Sequence, residues 1–551
     1  MSDFPTYQPL NEYKTRYFEL HSANTSEFFE NCIKLGNIDE DANKKAVEKI
    51  NQQRIKLTKT GSSLNKKRAL KTFLIVIITL AISVFVAFSF MMYQQPNLQG
   101  FLVMAGSGGL AVYLFILVKN KITASIKNLD QAKQSLTEEL EALTAEAWAQ
   151  MKPLISQFNS ATAARLSEKT HPLIQLDDKF GIRRFAYLSQ KFGLWDNDDI
   201  NVSTLFVQSG EIKGNPFCFF KTLNHYMSEK TYHGSKTIYW TESYCDSNGN
   251  SQTRSRSETL RASVTRPFPA YYKDTYLVYG NEAAPNLLFN REKSKANELN
   301  EKQLEKHIKS KSKEIEKLMR TKIAKGENFT VMGNTEFEVL FGAANRNNEV
   351  EFRLLFTPMA QREMLNLIKD KNVAWGDNFS FKKHYMLNII GAKHLQNIDV
   401  SGSTSNYIDY DLVQMRSKFN SYNNLYFKSI YFAFAPLLAI SLYQDHKPHE
   451  FIYKDIYKQR FSNFEHERIV NNMRKSDFAP SDSVTDNILK TRFMGNGAGN
   501  EYVNVTAHGF RGEARTAYVQ VWGGDGRYHD VPVNWTEYLS VSNTTNIDLL
   551  I

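Results

Sequence analysis

The chain has 551 residues, 42% of them hydrophobic, which is enough for several domains with real cores and excludes a disordered tail. Cys32, Cys218 and Cys245 are too few and too scattered for a disulfide framework or a four-ligand zinc site. The formal net charge of +10 does not by itself point to nucleic acid, because the surplus is local. Residues 291–325 hold 12 Lys or Arg against 6 Asp or Glu, and Lys66, Lys67, Arg68, Lys71, Lys119 and Lys121 flank a pair of apolar segments.

The first ten residues, MSDFPTYQPL, lack the basic start and apolar run of a signal peptide. Residues 73–93 carry no charge, and at 1.5 Å rise per residue they cover the roughly 30 Å hydrocarbon core of a bilayer. Residues 101–118 form a shorter apolar run containing Gly106, Ser107, Gly108 and Gly109, small residues that suit close helix contacts in lipid. The two runs read as a transmembrane helical hairpin within 72–118, in contact with membrane lipid. Basic residues before the first span and after the second, with none in the connector, place both termini in the cytoplasm of a multi-pass cell-membrane protein. The spacing of Thr79, Ser83 and Ala87, and of Ala105 and Gly109, predicts that these faces meet.

Beyond the spans, Ile122, Ile126, Leu129, Leu136, Leu140, Leu143 and Ala147 recur in a heptad rhythm, matched upstream by Val47, Ile50, Leu57 and Leu64. The expected product is a coiled-coil-like stalk built from 119–168 and from part of the 1–71 segment, ended or kinked at Pro153. Pairing between chains through 119–150, giving a homo-oligomer, is the alternative.

The remainder, 170–551, reads as an α+β cytoplasmic body of antiparallel hairpins and helices. Residues 237–244 and 254–265 flank Ser247-Asn248-Gly249-Asn250, a hairpin turn signal. Pro267 and Pro269 are expected to end that second strand, and Pro285 to break the chain before a charged helix over 291–325. Phe337, Val339 and Phe341 alternate opposite Val350, Phe352, Leu354 and Phe356, which predicts another hairpin. Thr357-Pro358 reads as N-cap and first residue of a helix over 358–370. A helix over 410–443 contains the apolar run 430–443, a buried core helix or a third span. Residues 502–508, 513–522 and 527–535, separated by Gly509–Gly512 and Gly523–Gly526 turns, predict a C-terminal three-stranded meander.

Charges of both signs alternate along 291–325 and no aromatic residue is interleaved. A solvated helix packed on one side, or contact with anionic headgroups, is therefore expected rather than nucleic-acid binding. No Walker lysine, HExxH, G-x-S-x-G or Cys-x-x-Cys occurs. The Gly-rich stretch 494–500 precedes a strand, where a phosphate-binding turn would follow one, so it reads as a flexible loop and no cofactor is expected. His446, His449 and Glu450 are close in sequence but read as solvent-facing polar residues, with no metal expected. Cys218 and Cys245 flank the first predicted hairpin, could lie close in space, and read as small buried hydrophobes.

Two stretches, RASVTRPFP (261–269) followed by LVYGNEAAP (277–285), and YFKSIYFAFAPLL (426–438), together with the apolar hairpin, resemble an uncharacterised group of two-span membrane proteins from mollicutes and related low-GC bacteria. The resemblance implies a habitat and supplies no catalytic residues. The leading expectation is a membrane-anchored interaction or scaffold protein with a cytoplasmic protein partner. The alternative is a membrane-bound enzyme with dispersed groups, for which Glu242, His225 and Asp246 on the first sheet, or His508 and His529 on the last, are the candidates. A transporter is disfavoured, because two spans without an intramembrane charge offer no pathway unless the protein oligomerises.

Overall fold

A computed structural model of the chain describes residues 5–94, 98–245, 251–294, 296–445, 460–497 and 499–550. The chain folds as two compact units, one formed by Thr25–Ser160 with Ser403–Asn423, the other by Met1–Asn24, Ala161–Gly402 and Asn424–Ile551.

The helical unit is dominated by two long rods. The helix Glu40–Gln94 runs unbroken through the first apolar run, and Leu98–Leu117 continues through a π-turn at Val118–Ile122 into Thr123–Ile155. Each is long and apolar enough to cross a membrane. Their apolar side chains point outward: Phe73 and Leu80 are 62% exposed and Phe90 65%, whereas a core helix would cover such residues. Away from the apolar runs, Ala46, Ile50 and Ala147 pack together with Leu140 and Leu143, and Arg68 pairs with Asp130 at 2.9 Å. Pro153 sits in the last turn of Thr123–Ile155, where the helix ends. The predicted Thr79/Ser83/Ala87 contact with Ala105 and Gly109 is replaced by one lying on another face. Gly108 faces the Phe85 ring, nothing among the described residues lies within 4 Å of a β-carbon at Gly109, and the Thr79 and Ser83 hydroxyls bond back to the carbonyls of Ile75 and Thr79. Phe29, Phe158, Phe419 and Tyr407 form an aromatic cluster, and Arg416 pairs with Glu30 and Glu40.

The other unit is mixed. Seven antiparallel strands form one sheet: β1 (Ile174–Leu176), β2 (Val202–Ile212), β3 (Asn215–Cys245), β4 (Ser251–Gly280), β5 (Leu288–Asn290), β6 (Phe379–His384) and β7 (Leu387–Ala392), in the order β1-β2-β3-β4-β7-β6-β5. A second sheet of three, order β10-β9-β8, comprises β8 (Ile488–Asn496), β9 (Asn500–Trp522) and β10 (Tyr528–Leu550). Lys213 and Gly214, both at positive φ, make the tight turn between β2 and β3. The helix Ile182–Phe192 places Leu188 and Phe192 on Val207, Phe220 and Val278, and Val470 of the helix Asn463–Asn471 covers Leu489, Val503 and Val505.

Residues 5–24 belong to this mixed unit. Thr6 and Gln444 exchange two hydrogen bonds of 2.7 Å, and Tyr431 donates to the Pro9 carbonyl at 2.8 Å. The 430–443 run is core, with Tyr431, Ala433 and Ile440 all 1% exposed or less, and it is split between the helices Leu412–Leu438 and Ser441–Asp445.

Several expected elements differ. The predicted hairpin around 345–348 is two helices, Thr335–Phe341 and Glu349–Leu355, because Asn334 and Asn348 cap them and Gly342, at φ +67°, closes the first. The charged helix begins at Glu301, where Asn300 and Gln303 form a capping box, and Arg291 is instead buried against Asp377. Pro267 and Pro269 do not end β4. They pair with Glu229 and Met227, and among the described residues no strand pairs with β4 on its other side there, an edge position where proline is tolerated. The three-stranded sheet is present, but 502–508 and 513–522 are one strand, and β8 supplies the third. The helix Pro358–Lys369 starts as expected, with the Thr357 hydroxyl accepting from the Ala360 N–H.

Candidate functional site

Two strands of β3 and β4 leave their sheet together. The β2 pairing stops at Asn224, after which β3 pairs with β4 alone as far as Cys245. In the second sheet the β8 pairing stops at His508, after which β9 pairs with β10 alone as far as Trp522. A lone two-stranded ribbon is marginal in water. Here each ribbon covers one face of the other: Ile238 and Leu260 pack on Val531, the Arg266 guanidinium lies 5.0 Å from the Trp535 ring centre, and the Gly524 N–H donates to Glu258. The other faces carry a polar lattice, including the cross-strand pairs Thr231–Thr265 and Thr237–Thr259, and large exposed aromatic residues.

At the root of these ribbons lies a cleft of about 260 Å3, lined by Asn201, His225, Tyr271, His508, Phe510 and Ser542 among others. His225 stands one residue past the last β2 rung and His508 on the last β8 rung, so the point where each ribbon sheds its third strand brings the two imidazoles into one cleft. The His225 N–H donates to the Asn201 carbonyl at 2.8 Å, and its Nδ1 lies 3.1 Å from Asn201 Oδ1. The Asn201 amide is turned by Asp199, whose Oδ1 accepts from Asn201 Nδ2 at 3.1 Å. This fixes the amide oxygen toward His225, puts the imidazole proton on Nδ1, and leaves Nε2, buried and without a hydrogen-bond partner among the described residues, as a bare acceptor. Tyr271 and Phe510 hold the ring at 5.2 and 5.0 Å between centres.

Burial lowers the pKa of His225, and burial with the Lys490 ammonium nearby lowers that of His508. Both imidazoles are therefore neutral at pH 7, and they line the cleft without adding charge to it. Neither Glu242 nor His529 joins them. Glu242 lies on the β3 face, bonded to Trp240 and Arg256. His529 is engaged by Asp525 near the β9–β10 turn. Asp246, His446, His449 and Glu450 lie outside the described residues. Cys218 and Cys245 cannot meet, since one continuous strand separates them by about 90 Å of extended chain at 3.3 Å per residue. Cys218 is buried and Cys245 exposed. The stretch 494–500, of which Ala498 lies outside the described residues, joins β8 to β9 with Gly499 at φ +88° and opens no helix. Among the described residues no group of three or more His, Cys, Asp or Glu side chains could hold a metal.

His225 was visible in the sequence, but its orienting pair Asp199 and Asn201 was not singled out, although an Asp-x-Asn turn before a strand is a local signal for such bonding. Comparison with known proteins gives no relative from which a role could be transferred: no family model matches the chain, and no curated protein or solved structure matches it significantly.

Proposed function

We propose that the chain is a membrane-tethered cytoplasmic interaction protein that holds a partner protein on its paired β ribbons. In this reading the two apolar helices lie in the bilayer, their basic flanks keep both termini in the cytoplasm, and the helices leading from them form a coiled-coil-like stalk. The observation that carries the reading is the ribbon surface, where Tyr239 is 79% exposed, Tyr518 70%, Tyr528 67% and Trp522 58%. Tyr and Trp are the residue types that interface cores favour, and beyond His225 and Phe510 the β3 and β9 edges of the ribbons pair with no third strand among the described residues. The root cleft, lined by His225, His508, Tyr271 and Phe510, would add a pocket beside that surface.

Two measurements test this. In a Cys245→Ser background, Ser542→Cys should resist a membrane-impermeant thiol reagent in intact cells and react after permeabilisation; labelling of intact cells would overturn the orientation. For the interaction, full-length protein and a Tyr239→Glu/Tyr518→Glu variant are purified from the same cells after crosslinking. A protein joined to the first and missing from the second supports the reading, and identical crosslinked products from both would sink it.

A further inference from the structure

The helix Glu301–Ala324 has 24 residues and buries none of them. Its basic residues gather on one face, which is bordered along one side by the exposed Glu305 and Glu316. Lys302, Lys306, Lys309, Lys313, Lys317 and Arg320 recur at steps of four and three, which at 100° per residue gathers them within an arc of about 80°. All six are exposed, and among the described residues none makes an ion pair or side-chain hydrogen bond. The neighbouring charges that are engaged lie off this arc: Lys311 with Glu314 at 2.7 Å and Lys322 with Glu327 at 3.5 Å. The opposite side, with Ile315 and Leu318, borders an open groove of about 760 Å3 against Val339, Gly342 and Ala344. The apolar stripe is thus turned toward the body and the cationic ridge away from it.

We propose that this ridge docks on anionic lipid headgroups, holding the mixed unit against the surface of the bilayer in which the chain is anchored; the inference rests on the membrane reading above. From Lys302 to Arg320 the ridge is about 27 Å long at 1.5 Å per residue, too long for one small anion and suited to an extended anionic surface. Clusters of four to eight Lys or Arg on one helix face have this affinity for acidic lipid. Nucleic acid is the poorer occupant, because the helix carries no aromatic residue on which a base could stack. The apolar stripe faces the groove, so the helix lies on headgroups by charge and does not insert.

The test uses the full-length chain in lipid nanodiscs, in a Cys245→Ser background, with a fluorescent donor at Ser310→Cys and an acceptor on a lipid headgroup. Energy transfer should be strong in discs containing phosphatidylglycerol, weak in phosphatidylcholine alone, and reduced by high salt. Lys309→Glu/Lys313→Glu/Lys317→Glu should abolish the difference, since each charge near an acidic surface is worth about a fivefold change in occupancy. Transfer indifferent to lipid charge and salt overturns the proposal, as does an unaltered lipid response with loss of binding to a DNA or RNA oligonucleotide in the triple variant. A second donor at Leu80→Cys separates the two readings. Transfer from Leu80 without a charge response at Ser310 removes the ridge and keeps the anchor, and transfer from neither removes both.

Discussion

A β-carbon on Gly234 would lie 2.1 Å from the carbonyl oxygen of Pro532, so the two ribbons touch backbone to backbone at this point. No side-chain rearrangement can relieve such a contact. Gly234→Ala should therefore push the ribbons apart and uncover Ile238, Leu260 and Val531, at a cost of about 1–3 kcal/mol, the range for overpacking a tight site. Hydrogen exchange on β3 and β10 is the direct readout. Faster exchange confined to the ribbons is expected; unchanged exchange would mean that the ribbons do not depend on one another.

The Asp199–Asn201–His225 series makes a second prediction. In the wild type the neutral amide of Asn201 faces Nδ1, and burial holds the His225 pKa below the usual imidazole value. Asn201→Asp puts a carboxylate at the same position, which favours the imidazolium and should raise that pKa. The midpoint can be followed by NMR on protein labelled at the histidine ring carbons. A midpoint that stays put in the variant would show that Asn201 does not orient the ring.

The cleft is not legible in the sequence because it forms where two distant strand ladders end, whereas other features are written locally. The apolar helices and the Thr357-Pro358 start are local signals, written within one turn or one run, and they appear where expected. The region 335–356 carries two local signals at once. Phe337, Val339 and Phe341 alternate as a strand would, yet Phe337 and Phe341, 5.0 Å apart and stacked, also match one helical turn. Asn334, Asn348 and Gly342 were the deciding marks, since a cap is specific to a helix end and alternation over five residues is not. Gly509 and Gly512 look like a turn but lie inside β9, where a β-carbon on Gly509 would strike Asn487 and Ser483; close approach, not chain reversal, is what glycine provides there. The meeting of His225 and His508 depends on where two distant ladders end, and no local pattern records it.

Lys383 predicts a pH dependence with a definite sign. Its side chain is buried, its Nζ donates to the Ala283 carbonyl at 3.1 Å, and burial lowers its pKa to about 7, with Glu351 opposing the shift. Between that value and the ordinary lysine value near 10.4 the unfolded chain binds more protons than the folded one, so stability rises with pH across this window. Below the folded value the full penalty of burying the charge applies. Lys383→Met keeps the volume and removes the charge, and should stabilise the protein at pH 7 by roughly 2–4 kcal/mol while flattening the rise above pH 7. Denaturant unfolding of the mixed unit at pH 7 and pH 10 measures both effects. A variant less stable than wild type at pH 7, with an unchanged slope, would show that the ammonium is better satisfied than its surroundings indicate.

The apolar hairpin offers a contrast between adjacent glycines. A β-carbon at Gly108 would come within 3.0 Å of the Phe85 ring, whereas at Gly109 it would meet nothing within 4 Å among the described residues. Small residues at helix contacts in lipid work by letting a neighbour approach, so only a glycine that faces the other helix should matter. Gly108→Leu should displace Phe85 and weaken the packing of the two apolar helices by about 1–3 kcal/mol, through overpacking. Gly109→Leu, which adds the same volume and apolar surface one residue away, should be tolerated. Disulfide trapping between Ala81→Cys and Ala111→Cys, both buried positions in the two helices, reports the packing in membranes. Loss of trapping with Gly108→Leu and its retention with Gly109→Leu is expected, and the reverse order would restore the Gly109 face that helical spacing alone suggests.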